Sequence, residues 1–418
     1  MIDPNQLKII INDQREFQWR DSFVERNIPD HIVSNDEIVV ISGVRRCGKS
    51  TLIQQIRSKN HESDYFINFD DDRLIQFDIN DFQQLLIIFK SLFGEQKTFY
   101  FDEIQNIKGW ERFVRRLFDT GNKVFITGSN ASMLSRELGT HLTGRYLSYE
   151  IFPFSLKEYL LYHKIPLINI DLFDTKTTAE VRTYFEKYIT DGGFPAFLKQ
   201  KNKQYLKSLY ESILYRDIMV RNMITAEKEI LELVFYLASN TSKLISYTAL
   251  SKIIGVSNPT TIKNYLSYME NTYLLFLVSK FDFSVKKQVR NPKKIYFIDN
   301  ALTNTLGFSF SANKGRYLEN LVFIELLRRG SEVFYYQNGG ECDFIVRDGA
   351  RITMAIQVTQ SLTDPKTKER EISGLEVAIN DLEPLEALIL TDYEEGEIQL
   401  NNTSVRIIPV WKWCLEND

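Results

Sequence analysis

EIVVISGVRRCGKST, residues 37–51, decides the fold. Glu37–Ser42 is a short apolar run of the kind that forms a buried strand, and Gly48–Arg57 has the spacing of a helix. Between them, Gly43-Val44-Arg45-Arg46-Cys47-Gly48-Lys49-Ser50-Thr51 satisfies G-x-x-x-x-G-K-[ST] in the strand–loop–helix context that the motif requires. The glycines let backbone N–H groups from Gly43 through Arg46, Cys47 and Gly48 to Thr51 curl around an anion. The helix N-terminus adds its positive dipole end. Lys49 is then expected at the β and γ phosphates of a purine nucleoside triphosphate, ATP, and the Ser50 hydroxyl on Mg²⁺. The competing reading is a chance glycine–lysine turn.

Outward from this stretch, strands are expected at Tyr65–Asp70, Thr98–Phe101 and Lys123–Thr127, with helices at Phe82–Leu92 and Trp110–Thr120. Strands alternating with helices predict a parallel sheet covered on both faces. Thr98–Phe101 delivers Asp102 and Glu103 to the carboxyl edge of that sheet, where open α/β sheets bind ligands. Asp102 is expected to hold Mg²⁺ through water, and Glu103 to polarise the attacking water as a general base. The alternative is a surface acidic pair opening a loop. After Lys123–Thr127 comes Gly128-Ser129-Asn130, where Ser129 either orients the water or senses the γ phosphate, or else forms an ordinary turn. Arg145, in Leu142-Thr143-Gly144-Arg145, is a candidate arginine finger, in cis or on a neighbouring subunit; otherwise it is structural. Arg45 and Arg46, inside the loop, are expected to face solvent or a partner and are given no firm role.

Six motifs in order carry a resemblance: ISGVRRCGKST, YFINFDDDRL, FYFDEIQNIKGWERFVRRL, VFITGSNASML, LTGRY and GGFP. Together they resemble a bacterial and archaeal group of AAA-type ATPases over nearly all of residues 30–200. The resemblance implies an AAA/STAND-like core with a helical lid. It implies Walker and sensor roles for Lys49, Ser50, Asp102, Glu103, Ser129 and Arg145, and nucleotide hydrolysis that is slow where such proteins act as switches.

The 418 residues exceed one ordinary core. At 44% hydrophobic and 25% charged residues, the composition is that of a globular soluble chain. The net charge of -4 excludes polyanion binding by bulk charge, so DNA contact would need a local basic patch. Three scattered cysteines show no metal or disulfide spacing and fit a reducing cytoplasm. Met1–Asp13 is not expected to be a signal peptide, and no run is long enough to span a membrane.

Ser246–Gly255 and Pro259–Asn271 outline a helix-turn-helix, with Thr260, Thr261, Lys263 and Asn264 on the exposed face of its second helix. The basic stretch after it (Lys280, Lys286, Lys287, Arg290, Lys293 and Lys294, with Phe281 and Phe283) is expected either to form a phosphate-gripping wing or to be solvated surface. Winged helices also serve as protein-interaction modules. Further on, Glu319, Asp343 and Gln357-Val358-Thr359 resemble a restriction-endonuclease-like PD-(D/E)xK layout. Asp343 matches the aspartate, Gln357 the second ligand and Glu319 an upstream helical acid. Thr359 stands where that pattern has lysine, so a vestigial, inactive nuclease site is expected, with Lys366 and Lys368 as conceivable substitutes.

The expected fold class is thus multidomain α/β: a P-loop AAA core with a parallel sheet (1–152), a helical lid (153–226), a winged helix-turn-helix (227–298) and a nuclease-like α/β domain (299–418). The function expected is an Mg²⁺-dependent ATPase acting as a switch for a DNA- or protein-binding module. An ATP-gated metal-dependent nuclease and an interaction scaffold with structural ATP are the alternatives. An arginine finger in trans would require a homo-oligomer.

Overall fold

The computed structural model describes residues 2–16, 23–59, 64–130, 142, 144–165, 174–307 and 314–416. Residues 131–134 and Thr143, quoted among the motifs, lie outside them. Contacts divide the chain into two compact units, Met1–Phe152 with Asn271–Tyr273, and the remainder.

The first unit runs α1 (Pro4–Glu16), α2 (Asp30–Ser34), β1 (Ile38–Ser42), α3 (Lys49–Lys59), β2 (Tyr65–Asn68), α4 (Phe82–Phe93), β3 (Thr98–Asp102), α5 (Trp110–Asp119), β4 (Lys123–Gly128) and β5 (Tyr146–Glu150). All five strands are parallel, in the order β2-β3-β4-β1-β5. Central strands of a parallel sheet are covered on both faces, which is why β1 and β3 are buried at every residue. Helix α5 buries Trp110, Phe113, Val114 and Leu117, the i, i+3, i+4, i+7 stripe of an amphipathic helix. Phe82 of α4 stacks on Phe113 with ring centroids 4.1 Å apart. Three elements were not expected: α1, the short α2 and β5. Helix α1 buries Leu7, Ile10 and Ile11 in the same core. Edge strand β5 is partly polar and only half-covered, which hid its period.

The second unit opens with α6 (Leu156–Tyr162), α7 (Thr175–Asp191), α8 (Pro195–Gln200) and α9 (Lys203–Glu211), and a π-helical stretch, Ser212–Val220. After these come α10 (Glu227–Ser239), β6 (Leu244–Ile245), α11 (Tyr247–Ile254), α12 (Pro259–Asn271), β7 (Leu275–Ser279), α13 (Val285–Arg290) and β8 (Lys293–Phe297). The short strands pair antiparallel in the order β6-β8-β7. Helices α14 (Asn300–Leu306) and α15 (Lys314–Arg328) lead into a six-stranded mixed sheet. It contains β9 (Glu332–Gln337), β10 (Glu341–Asp348), β11 (Arg351–Val358), β12 (Glu386–Thr391), β13 (Gly396–Leu400) and β14 (Thr403–Pro409), ordered β13-β14-β12-β11-β10-β9. Helix α16 (Pro365–Leu382) lays Leu375, Ala378, Ile379 and Leu382 on it, and α17 (Val410–Leu415) ends the chain described.

The expected boundaries after residues 226 and 298 fall inside this unit. Across the second of them, Asn320 of α15 takes the Phe297 N–H at 2.7 Å and donates to the Phe297 carbonyl at 2.9 Å and to Asn300 Oδ1 at 3.0 Å. Buried amide groups must be satisfied, and here they knit β8 and α14 to α15.

The basic stretch behaves differently from the expected wing. Phe281 is buried in an edge contact with Phe334, Lys293 turns inward to Ser279 and the Gln288 carbonyl, and Lys294 is 2% exposed. Lys286, Lys287 and Arg290 do face solvent, on α13, a helix rather than a strand wing.

Gly193, in the Gly-Gly-Phe-Pro interruption, lies against the backbone of Phe154, and its carbonyl accepts the Phe154 N–H at 2.8 Å. A Cβ there would overlap the Phe154 carbonyl oxygen, whereas a Cβ on Gly315 in α15 meets open space. Gly193→Ala is therefore expected to lower stability by roughly 3 kcal/mol, and Gly315→Ala to be neutral or slightly stabilising, in chemical denaturation. Equal midpoints for the two variants would contradict the close approach.

Candidate functional site: the carboxyl edge of the parallel sheet

The sheet order brings three chain segments together at one edge. The loop after β1, the acids ending β3 and the Gly128–Asn130 turn after β4 all lie there, because parallel strands end on the same side. Gly43 is in the left-handed region at φ +150°, and a Cβ on it would overlap the Ile151 carbonyl oxygen. Only glycine fits that start of the loop. Arg46, also at positive φ, is exposed at the tip. The Cys47 side chain is fully buried, burial pushes its thiol pKa up, and its N–H turns to the Val44 carbonyl at 3.3 Å.

Lys49 opens α3 almost without exposure. Its Nζ lies 3.2 Å from the carbonyl oxygens of Gly43 and Val44 and 3.3 Å from Glu103 Oε1. Burial opposes the ammonium, but Glu103, and behind it Cys47 and Asp102, outweigh this and hold its pKa above the ordinary lysine value. Burial likewise opposes the Glu103 carboxylate, and Lys49, Gln105 and Arg45 more than offset it, so Glu103 is held below the usual carboxylate range. Ser129 Oγ donates to Glu103 Oε2 at 3.2 Å, and Gln105 donates to the same oxygen. Thus Ser129 touches Glu103 directly.

Asp102 has no solvent exposure. Its Oδ1 accepts the Thr127 hydroxyl at 2.5 Å, and its Oδ2 is buried with no hydrogen-bond partner among the described residues. Burial, with the charge of Glu103 behind it, pushes its pKa up to about 6, against the pull of Thr127, Ser50 and Lys49. Thr127 also accepts the Glu103 N–H at 2.8 Å, which pins the left-handed turn at Glu103, φ +52°. This follows from β4 lying between β1 and β3. Sequence reading passed over Thr127, taking it only as the end of a strand.

Arg26 was also missed. It is buried, and it donates to the Cys47 carbonyl at 2.6 Å and to the Phe152 carbonyl at 3.1 Å, clamping the loop from outside. No motif marks it, since a lone arginine before a strand has no local signature.

Arg145 is not brought to this edge. It precedes β5, its carbonyl accepts the Ile38 N–H at 2.9 Å, and its guanidinium meets Asp119 at 3.2 Å. That is the amino edge, about 17 Å away along a five-residue strand at ~3.3 Å per residue. In this structure Arg145 pairs with Asp119 and does not stand beside the phosphate loop of its own chain.

In the second unit the three nuclease-like candidates do converge. Asp343 Oδ2 accepts the Val358 N–H at 2.9 Å, its own N–H donates to Gln357 Oε1 at 3.3 Å, and Glu319 lies across from it. The lysine beside them is Lys294 from β8, not Lys366 or Lys368, which are exposed on α16.

Replacing Thr127 by valine would remove the hydrogen bond to Asp102 Oδ1 and leave the Glu103 N–H without its acceptor. Thr127→Val is expected to cost about 1–3 kcal/mol of stability, and Thr127→Ser to restore most of it, in urea denaturation. Equal stability of Thr127→Val and the parent chain would remove the bridge from the account.

Residues 35–160 match the AAA domain family, and residues 182–313 match a domain of unknown function, DUF8612. The chain is 33% identical to a Haemophilus influenzae protein over 402 residues, 91% of this chain and 95% of that one. The Thermotoga maritima RuvB Holliday junction branch migration motor overlaps 65% of this chain and 87% of its own at 15% identity and a TM-score of 0.29, too distant to argue from. Identity to MJ1544 of Methanocaldococcus jannaschii is 37% over 437 residues, 99% of this chain and 96% of that protein. With an AAA domain at residues 35–160, the chain belongs to the family of the Methanocaldococcus jannaschii protein MJ1544.

Proposed function

We propose that the chain is an Mg²⁺-dependent ATPase whose nucleotide state controls a second, macromolecule-binding surface. The observation that carries the nucleotide part of this reading is Asp102 Oδ2, buried with no hydrogen-bond partner among the described residues, at a glycine-lined loop whose lysine is already paired with Glu103. A buried carboxylate oxygen with nothing to bind is costly unless a cation or its water takes it up.

These residues fit a magnesium nucleotide. Ser50 and Asp102 would hold the ion, and the ion would supply charge neutralisation on the phosphates. Backbone N–H groups of the loop and the α3 N-terminus would receive the phosphates. Lys49, on meeting them, would leave Glu103 as the base for a water, with Ser129 and Gln105 fixing its carboxylate. Arg145 is assigned no role within its own chain. If it serves as a finger, it does so across a subunit interface.

The second surface in this reading is a winged-helix-like segment, α10 to β8. Its α11 is capped by Ser246, whose hydroxyl accepts the Ala249 N–H at 3.2 Å, and α12 begins after Asn258 with Thr260, Lys263 and Asn264 exposed. The exposed cations Lys286, Lys287 and Arg290 support DNA as its partner through phosphate contacts. A protein partner is the other outcome.

Lys49→Ala is expected to abolish nucleotide binding in calorimetry. Glu103→Gln is expected to keep the nucleotide but lower kcat about 100-fold or more. Unchanged turnover in Glu103→Gln would overturn the assignment of the base. For the second surface, Lys286→Ala, Lys287→Ala and Arg290→Ala combined are expected to weaken duplex DNA binding and flatten the log–log salt slope by up to about 2.7, from ~0.9 per phosphate contact. An identical slope would move the reading to a protein partner.

A further inference from the structure

The carboxylate cleft of the C-terminal sheet has a volume of about 720 Å³ and is lined in part by Glu319, Glu341, Asp343, Gln357 and Glu371. A nuclease-like layout implies a divalent metal here, and the residues do not fit one. Among the described residues, no group of three or more acidic, histidine or cysteine side chains is arranged to hold a metal ion. Three of the acids meet Lys294 instead. Its Nζ lies 2.7 Å from Glu341 Oε1, 2.8 Å from Asp343 Oδ1 and 3.1 Å from Glu319 Oε1. An ammonium has three N–H donors, and each finds one carboxylate.

We propose that Lys294 is the resident cation of this cleft, its ammonium occupying the position that a divalent metal would otherwise take, so that the cleft works without metal.

The strand geometry makes the arrangement. Residues two apart on a strand share a face, so Lys294 and Tyr296 of β8 point the same way, as do Glu341 and Asp343 of β10. Tyr296 donates its hydroxyl to the same Glu319 oxygen at 2.7 Å, so that acid is held by two donors from one strand. The other members are saturated in turn. Asp343 Oδ2 is taken by the Val358 N–H, and the Gln357 amide nitrogen by Glu371, which also pairs with Arg370. Thr359, in the position where the nuclease pattern has lysine, is buried with its hydroxyl toward the Ser361 carbonyl.

Electrostatics agree with the geometry. Burial opposes the Lys294 charge, but Asp343 first, then Glu319, Tyr296 and Glu341, hold its pKa well above the ordinary value, so the ammonium persists through the neutral range. Burial, opposed by Lys294, pushes Glu319 up to about 8. A fixed ammonium between Glu319, Glu341 and Asp343 repels a dication and occupies the point where the three acids meet.

The inference is independent of the nucleotide site, and the test separates them. Full-length protein without nucleotide is titrated with Mn²⁺ and followed by electron paramagnetic resonance, comparing the parent chain with Asp343→Asn. Any Mn²⁺ at the phosphate loop is common to both and cancels. Equal stoichiometry is expected; a Mn²⁺ ion bound by the parent chain and lost in Asp343→Asn overturns the proposal. Lys294→Met then removes the ammonium and leaves the acids. It is expected to gain one bound Mn²⁺, to be stabilised in thermal melts by millimolar Mn²⁺, and to lose both effects when combined with Asp343→Asn. A folded Lys294→Met protein that binds no additional Mn²⁺ overturns the equivalence of ammonium and metal. If Lys294→Met folds only when Mn²⁺ is present, the proposal is supported; if it folds under neither condition, the comparison of the parent chain with Asp343→Asn decides.

Discussion

A charge removed from water must find its opposite inside the protein, and two buried lysines impose that condition on the two units of this chain. Lys49 is closed in by the loop that starts α3, and its ammonium draws Glu103 to 3.3 Å. Lys294 is closed in by β10 and α15, and its ammonium draws three carboxylates to within 3.1 Å. Desolvation of an unpaired ammonium costs several kcal/mol, so each lysine constrains where neighbouring acids can sit. The difference lies in what is left over. Around Lys294 each donor has its acid. Around Lys49 buried acceptors are left over: Asp102 Oδ2, and Gln105 Oε1 beside Glu103, have no hydrogen-bond partner among the described residues. The first is a finished set of interactions; the second is a site with an open valence.

That open valence exists because of strand order. With β4 between β1 and β3, the Thr127 hydroxyl reaches both Asp102 and the Glu103 backbone. One oxygen of Asp102 is thereby used and the other left toward the loop. The turn after β4 contributes through the same edge: Ser129 holds Glu103 from the β4 side while Lys49 holds it from the β1 side. In the proposed role of base, a Glu103 held from two directions would be oriented before any substrate arrives, which would lower the reorganisation needed during chemistry.

Motif-bearing positions were legible because they depend on neighbours in sequence. The strand Ile38–Ser42, the glycines of the loop, Lys49 and the Asp102–Glu103 pair follow from local periodicity and spacing. Elements that rely on partners were not. Helix α1 is weakly patterned and forms by packing Leu7, Ile10 and Ile11 into the core of a sheet that begins some thirty residues later. Strands β5 and β13 are polar edge strands, so their alternation carries little signal. Lys294 was taken for one of a run of surface cations. Composition cannot distinguish a solvated lysine from one that faces three acids contributed by residues 25 to 49 positions away.

The amino-acid sequence by itself determined a parallel α/β core with a phosphate-type loop and an acidic pair at one edge, because glycine stereochemistry, apolar periodicity and motif spacing act over a few residues. Only the tertiary structure decided which charges meet: that Arg145 stands at the amino edge of the sheet, that Thr127 and Arg26 belong to the site, and that Lys294 meets Glu319, Glu341 and Asp343. Coulomb interactions and hydrogen bonds depend on distance in space, and chain folding sets that distance over separations that no local pattern records.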